Sequence, residues 1–171
     1  MADHAKPGEV FADHISVVRD LEFSRMKTLE GRGELVFRTD LAIFAAVVAA
    51  AALVIGRSTP AQLHTATVWA LLGSVLFLIP SLCYGALVQS GTSKYSLTKE
   101  QTLQTMVREK WDAPEREARF IIASRDVESI GTLRTANQRR AKRLQRAVFF
   151  QITFVLLVVV AVVVEAFARI G

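Results

Sequence analysis

Three long runs of apolar residues without charge divide the chain: Leu41–Gly56, Val68–Gln89 and Ala147–Val164. A helix needs about 20 apolar residues to cross a hydrocarbon core roughly 30 Å thick, because it rises about 1.5 Å per residue. The pattern therefore predicts three transmembrane helices. The first run is the weakest, since its sixteen residues are rich in alanine. A helix buried in a soluble protein is the alternative for that run.

The polar segment before the first run has a helical period. Phe11, Ile15, Val18 and Leu21 recur every three or four residues, which predicts an amphipathic helix over residues 9–30. Two glycines follow it in the stretch LEGRGELVFRTD. We expect Gly31 and Gly33 to break this helix before the membrane, and a hinge at the same place is the alternative.

The polar segment between the second and third runs is also helical in pattern. A heptad count from Phe120 places residues 120, 127, 134, 141 and 148 at one position and residues 123, 130, 137, 144 and 151 at the other. Two of these residues, Arg134 and Asn137, are polar, and polar residues in a seam fix its register or oligomer number. The count predicts a coiled-coil-like seam between copies of the chain, formed by Phe120, Val127, Ile130, Asn137 and Leu144.

These patterns predict an all-α integral membrane protein whose three transmembrane helices are joined to cytoplasmic amphipathic or coiled-coil-like helices. The expected segments are a cytoplasmic helix and juxtamembrane region, a transmembrane hairpin, a cytoplasmic helical region, and a third transmembrane helix with the C-terminus. Their ranges are 1–40, 41–89, 90–146 and 147–171. Pro80 should kink the second span, and Ser81 and Gly85 beside it offer a small-residue face for helix packing.

Lysine and arginine are distributed unevenly about the spans. Six precede the first span, one lies in the first loop, thirteen lie between the second and third spans, and one follows the third. Basic residues remain on the cytoplasmic side. We therefore expect an inner-membrane protein with its N-terminus in the cytoplasm and its C-terminus outside. At the C-terminal end, Glu165 and Arg169 are spaced as an exposed or interfacial pair.

A block of basic residues lies directly before the third span, in RTANQRRAKRLQRA. It is expected to contact anionic lipid headgroups, at about 1 kcal/mol per residue. The net charge of +5 would also suit a nucleic-acid-binding protein. No aromatic stacking residues are interleaved with these charges, so no nucleic-acid partner is predicted. The candidate headgroup contacts are Arg134, Arg139, Arg140 and Arg143.

Signatures of common enzyme chemistry are missing from the sequence. It contains no GxSxG, Walker, HExxH or CxxC motif, and its three histidines lie in separate segments. Cys83 is the single cysteine. The 57 residues between the second and third spans leave little room for a catalytic domain. The sequence therefore predicts a protein that is not an enzyme, with no catalytic residue, cofactor or metal site.

The order of these segments resembles small bacterial membrane effectors of the Pycsar type, which share their plan with the SLATT group. A juxtamembrane helix enters the first span through LEGRGELVFRTD, and a long helix with IGTLRTANQRRAKRLQRA leads into the last span. The resemblance implies an antiviral defence effector that oligomerises and impairs the membrane when a partner nucleotide cyclase makes a cyclic pyrimidine nucleotide. It also implies that Arg134, Arg139, Arg140 and Arg143 contact the nucleotide phosphate.

Two other functions suit the same pattern. The chain would also serve as a non-enzymatic accessory subunit that scaffolds a partner through its cytoplasmic helices. A holin-like lysis protein is the third reading, although the long polar helices exceed what that role needs. A small transporter is disfavoured, because no charged residue lies near the centre of a span.

Overall fold

The computed structural model describes residues 7–55, 63–90, 104–106, 108 and 114–170. Three long helices cover most of them: α1 (Pro7–Ile55), α2 (Thr65–Gln89) and α3 (Glu115–Ile170). The described residues contain no strand, so the all-α prediction is confirmed. Each helix includes a stretch that is long and apolar enough to cross a membrane. The three predicted spans are thus present as helices.

α1 is one helix of 49 residues that continues through both glycines of LEGRGELVFRTD. The predicted helix break at Gly31 and Gly33 is therefore wrong. Neither glycine has a positive φ. Gly33 instead permits a close approach between helices, because a Cβ there would lie 2.7 Å from Cγ1 of Val88 on α2. Gly31 has open space around it.

Two compact units make up the chain. The first comprises residues 1–29 and 91–140, and the second comprises residues 30–90 and 141–171. α1 and α3 contribute residues to both units without interruption, whereas α2 lies wholly in the second. These divisions fall before residues 30 and 141, where the sequence had suggested boundaries after residues 40 and 146.

Buried positions along each helix recur at alternating spacings of three and four residues, or at their sum of seven. This is the repeat of helices that pack side by side at a shallow angle. On α1 the buried positions are Glu22, Met26, Leu29, Gly33, Val36 and Asp40. On α2 they are Thr67, Ser74, Leu78, Ser81, Gly85 and Val88. On α3 they include Ile130, Leu133, Asn137, Arg140, Leu144, Ala147, Phe154 and Ala161.

α2 buries most of its small and polar residues, together with Leu78 and Val88, and exposes most of its large apolar residues. Trp69 and Leu76 are 70% and 71% exposed, whereas Ser74 and Ser81 are buried. A soluble protein would reverse this arrangement. Small residues inside and large apolar residues outside are typical of helices that pack against one another in lipid.

Within a single chain, the first unit buries a face of α3 that overlaps in part with the seam predicted between copies. Phe120 and Val127 are 73% and 54% exposed, while Leu133 is fully buried. Ile130 and Asn137, from the other heptad position, are buried within a single chain. The face that α3 buries within one chain thus shares Ile130 and Asn137 with the predicted seam and includes Leu133 in place of residue 134. Leu144 is buried as well, in the second unit.

Candidate functional sites in the helical units

Glu22 of α1 is the centre of a buried polar cluster in the first unit, which we call the Glu22 cluster. Arg134 Nε donates a hydrogen bond to its Oε1 at 3.0 Å, and Asn137 Nδ2 donates to its Oε2 at 3.1 Å. Asn137 Nδ2 also donates to the Glu22 backbone carbonyl at 3.0 Å. Arg134 and Asn137 are three residues apart on α3, so both reach the same carboxylate. The two polar residues that interrupt the predicted seam therefore bind Glu22 of their own chain.

Two further ion pairs join α1 to α3 within the first unit. Arg19 Nη1 donates to both carboxylate oxygens of Asp126, at 3.0 and 3.1 Å. Arg119 Nη1 lies 3.7 Å from Glu9 Oε1. Ion pairs with exposed side chains add little stability, so the partly buried Arg19–Asp126 pair and the Glu22 cluster matter most.

The Glu22 cluster shifts the acid–base equilibrium of its carboxyl group. Burial raises the pKa of Glu22, but hydrogen bonds from Asn137 and Arg134 and the charges of Arg134 and Arg25 outweigh burial and lower the pKa overall. The pKa of Arg19 is raised above its usual value by its hydrogen bond with Asp126. Glu22 is therefore a carboxylate at neutral pH.

Replacing Glu22 by glutamine should make thermal stability less dependent on acid pH. Because folding lowers the pKa of Glu22, its contribution is fully present above the ordinary value of 4.5 and is lost as pH falls through the lower value of the folded protein. We expect wild type to exceed Glu22→Gln in melting temperature at neutral pH, with the difference closing in acid. A difference that stays constant across this range would contradict the assignment.

Asp40 lies in a second buried polar cluster, in the second unit, which we call the Asp40 cluster. It brings together all three helices. Asp40 and Ser81 are both fully buried. Ser81 Oγ lies 2.5 Å from Asp40 Oδ2 and 3.1 Å from the backbone carbonyl oxygen of Ala147 on α3. The side-chain amide of Gln151, one turn further along α3, also interacts with the Asp40 carboxyl group.

Asp40 directly precedes the first apolar run, and the sequence patterns did not single it out. The signal that would have found it is its spacing. Asp40 continues the three- and four-residue repeat of buried positions on α1, and so does Glu22. An acidic residue at an otherwise buried, mostly apolar position must have a polar partner in the fold. Both acidic residues of this repeat have such partners.

Glu165 caps the beginning of α2. Its Oε2 accepts hydrogen bonds from Thr67 Oγ1 at 2.9 Å and from the His64 backbone N–H at 3.2 Å. A carboxylate at a helix N-terminus satisfies a free N–H group and interacts favourably with the helix dipole. The expected pairing of Glu165 with Arg169 falls outside the described side chains. Glu165 thus connects α3 to α2 at the opposite end of the second unit's helices from the Asp40 cluster.

The arginines predicted to contact phosphate or lipid have different surroundings. Arg134 binds Glu22 and its side chain is still 57% exposed. Arg140 is buried in the first unit, whereas Arg139 is exposed. In the second unit, Arg143 Nη1 donates to the backbone carbonyl of Leu87 at 3.1 Å. Arg134 and Arg139 are therefore the two of these arginines that solvent reaches most freely.

Residues predicted to shape the second span lie on the packed side of α2. The helix continues through Pro80. Ser81 directs its hydroxyl to Asp40 and Ala147, and Gly85 lies against Gly33 and Phe37 of α1. Cys83 is exposed. Among the described residues, no group of histidine, cysteine or acidic side chains is arranged to hold a metal ion.

No protein family, curated protein or solved structure matches this chain.

Proposed function

We propose that this protein is a non-enzymatic membrane effector of bacterial antiphage defence, which assembles into homo-oligomers and impairs the integrity of the inner membrane. The observation that carries the proposal is the continuity of α1 and α3. Each helix begins in a charged segment and continues without a break into an apolar one. A conformational change in the charged segment of either helix would therefore be transmitted through the helix backbone to its apolar segment.

The charge distribution supports an orientation with the N-terminus in the cytoplasm and the C-terminus outside. Thirteen basic residues lie between α2's apolar run and α3's apolar run, and only one lies between the first two runs. Transfer of the larger group across the membrane would oppose both the insertion machinery and the membrane potential. On this orientation, the Glu22 cluster faces the cytoplasm.

An anionic signal would act on the first unit by competing for its arginines. Arg134 is held by Glu22 but remains more than half exposed, so a phosphate group can reach its guanidinium from solvent. Displacement of Arg134 would leave the buried Glu22 carboxylate with fewer donors and weaken the contact between α1 and α3. We propose a cyclic pyrimidine nucleotide as the signal, made by a partner cyclase, in keeping with the resemblance to Pycsar-type effectors.

The test is to measure membrane potential with a voltage-sensitive dye after induced expression, with and without a panel of cyclic nucleotides. Depolarisation that requires one nucleotide is the expected result. Depolarisation without any nucleotide would overturn the gating and favour a holin-like protein. An unchanged potential under every condition, with the protein present in the membrane, would overturn the effector proposal in favour of an accessory subunit.

A pair of variants at Gly131 tests whether the continuity of α3 matters. Proline at this position would remove a backbone hydrogen bond and disrupt the helix within its charged part, before the apolar run that begins at Ala147. Alanine fits, because nothing lies within 4 Å of the added Cβ. We expect Gly131→Pro to abolish depolarisation at equal membrane abundance while Gly131→Ala retains it. Equal activity of the two variants would contradict transmission through α3.

A further inference from the structure

The carboxyl group of Asp40 has no cationic partner among the residues that the structure describes. On α1, the neighbouring Arg38 pairs with Glu34. On α3, Arg143 reaches the Leu87 carbonyl, and the guanidinium of Arg146 lies over the Tyr84 ring of α2 at 5.8 Å. α2 itself carries no Asp, Glu, Lys or Arg. None of the described side chains on the three helices therefore neutralises a charge on Asp40.

An ionised carboxylate is costly at such a place. Asp40 has no exposed surface, and its Oδ1 atom is buried without a hydrogen bond. It lies directly before the first apolar run of α1, level with Ala147, where the apolar run of α3 begins. A buried charge that lacks a partner is strongly disfavoured and takes up a neutralising ion or proton instead.

The hydrogen bonds around Ser81 indicate which it takes up. The hydroxyl has one proton, and its oxygen lies within hydrogen-bond distance of two acceptors, Asp40 Oδ2 and the Ala147 carbonyl oxygen. An ionised Asp40 would compete with Ala147 for that proton. A protonated Asp40 removes the competition, because it donates to Ser81 Oγ while Ser81 donates to Ala147.

We propose that the Asp40 cluster is a proton-binding site, in which the Asp40 carboxylic acid donates to Ser81 Oγ and Ser81 donates to the Ala147 carbonyl. The Gln151 side chain also interacts with the carboxyl group. With the proton bound, a continuous chain of hydrogen bonds runs from Asp40 on α1 through Ser81 on α2 to Ala147 on α3. When hydroxide removes this proton, the Asp40 carboxylate carries a negative charge and one of the two hydrogen bonds at Ser81 is lost. The three helices then separate more easily.

Infrared spectroscopy of the full-length protein in lipid vesicles tests this site directly. A carboxylic acid has a C=O stretching band that an ionised carboxylate lacks. We expect the band at neutral pH in wild type and in Asp13→Asn, a control at an exposed aspartate of α1, and we expect its loss in Asp40→Asn. The same spectrum in wild type and Asp40→Asn would overturn the proposal.

Exchange of sodium for potassium separates a proton from a metal ion. A sodium ion would also be held by carboxylate, hydroxyl and carbonyl oxygens. If the carboxylic acid band appears only after sodium is removed, the resident cation is sodium and the proposal is wrong. A carboxylic acid band that is the same in sodium and potassium salts supports a proton as the bound cation.

Two variants keep the test informative if folding is affected. Asp40→Asn retains a donor to Ser81 and cannot ionise, so its melting temperature should stay constant as pH rises, whereas that of wild type should fall. Ser81→Ala keeps the acid but removes its acceptor, and should shift the band rather than abolish it. The proposed hydrogen bonds would be contradicted if the melting temperature of Asp40→Asn fell at alkaline pH as that of wild type does. They would also be contradicted if the carboxylic acid band of Ser81→Ala were not shifted. These spectra do not depend on whether the protein depolarises membranes.

Discussion

Replacing Gly33 by valine is expected to destabilise the protein by about 1–3 kcal/mol, the usual effect of forcing extra atoms into a packed interior. A Cβ at Gly33 would lie 2.7 Å from Cγ1 and 2.9 Å from Cβ of Val88. The Val88 Cβ is fixed to its backbone, so α1 and α2 must separate to accept the larger residue. The measurement is the midpoint of thermal unfolding in detergent.

Gly31→Val is the matched control for this prediction. Gly31 is two residues away on the same helix, and nothing lies within 4 Å of an added Cβ there. Because valine has a better helix propensity than glycine, this substitution should leave stability unchanged or raise it slightly. Equal destabilisation by the two substitutions would show that Gly33 matters through the backbone and not through its approach to Val88.

Replacing Asn137 by leucine should also destabilise the protein, by about 1–3 kcal/mol, because a buried acceptor loses its donor. Leucine cannot supply the hydrogen bond that Asn137 Nδ2 gives to Glu22 Oε2. If Asn137 instead faced another copy in a coiled-coil seam, leucine would strengthen that seam. The thermal midpoint and the oligomer size, measured together, distinguish the two arrangements.

Gln138→Leu serves as the control for Asn137→Leu. It makes the same kind of polar-to-apolar change at the next residue, which is exposed. Its effect on the thermal midpoint should be small, as for most surface substitutions. A larger, tighter oligomer in Asn137→Leu with a raised midpoint would contradict the intrachain role of Asn137.

The three long apolar helices were predictable from the sequence because they depend on composition over long windows. Three apolar runs gave three helices, with α2 over Thr65–Gln89 against the predicted 68–89. Continuity was harder to foresee. Gly31 and Gly33 have low helix propensity, which favoured a break. Packing against α2 outweighs this propensity at Gly33, and a contact with Val88, more than fifty residues away, has no signature in the local pattern.

The buried polar clusters were missed for a related reason. The heptad count considered α3 alone and placed Phe120, Val127 and Asn137 in a seam between copies, so it gave no partner for Asn137 within the chain. Within one chain, the buried positions include Asn137, which the count had placed in the seam, and also Arg140 on α3 and Glu22 and Asp40 on α1. A polar residue in a seam is acceptable only when its partner is present on another helix. Those partners can be identified only once the helices are aligned.

The Asp40 cluster also constrains the order in which the protein is built. Ser81 follows Asp40 by 41 residues, and Ala147 follows Ser81 by a further 66. During synthesis, Asp40 is therefore made first, Ser81 can join it once α2 has formed, and the cluster is complete only when α3 has been made. Until then Ser81 lacks the Ala147 carbonyl as an acceptor, so the pair of α1 and α2 is an assembly intermediate whose polar cluster only α3 completes.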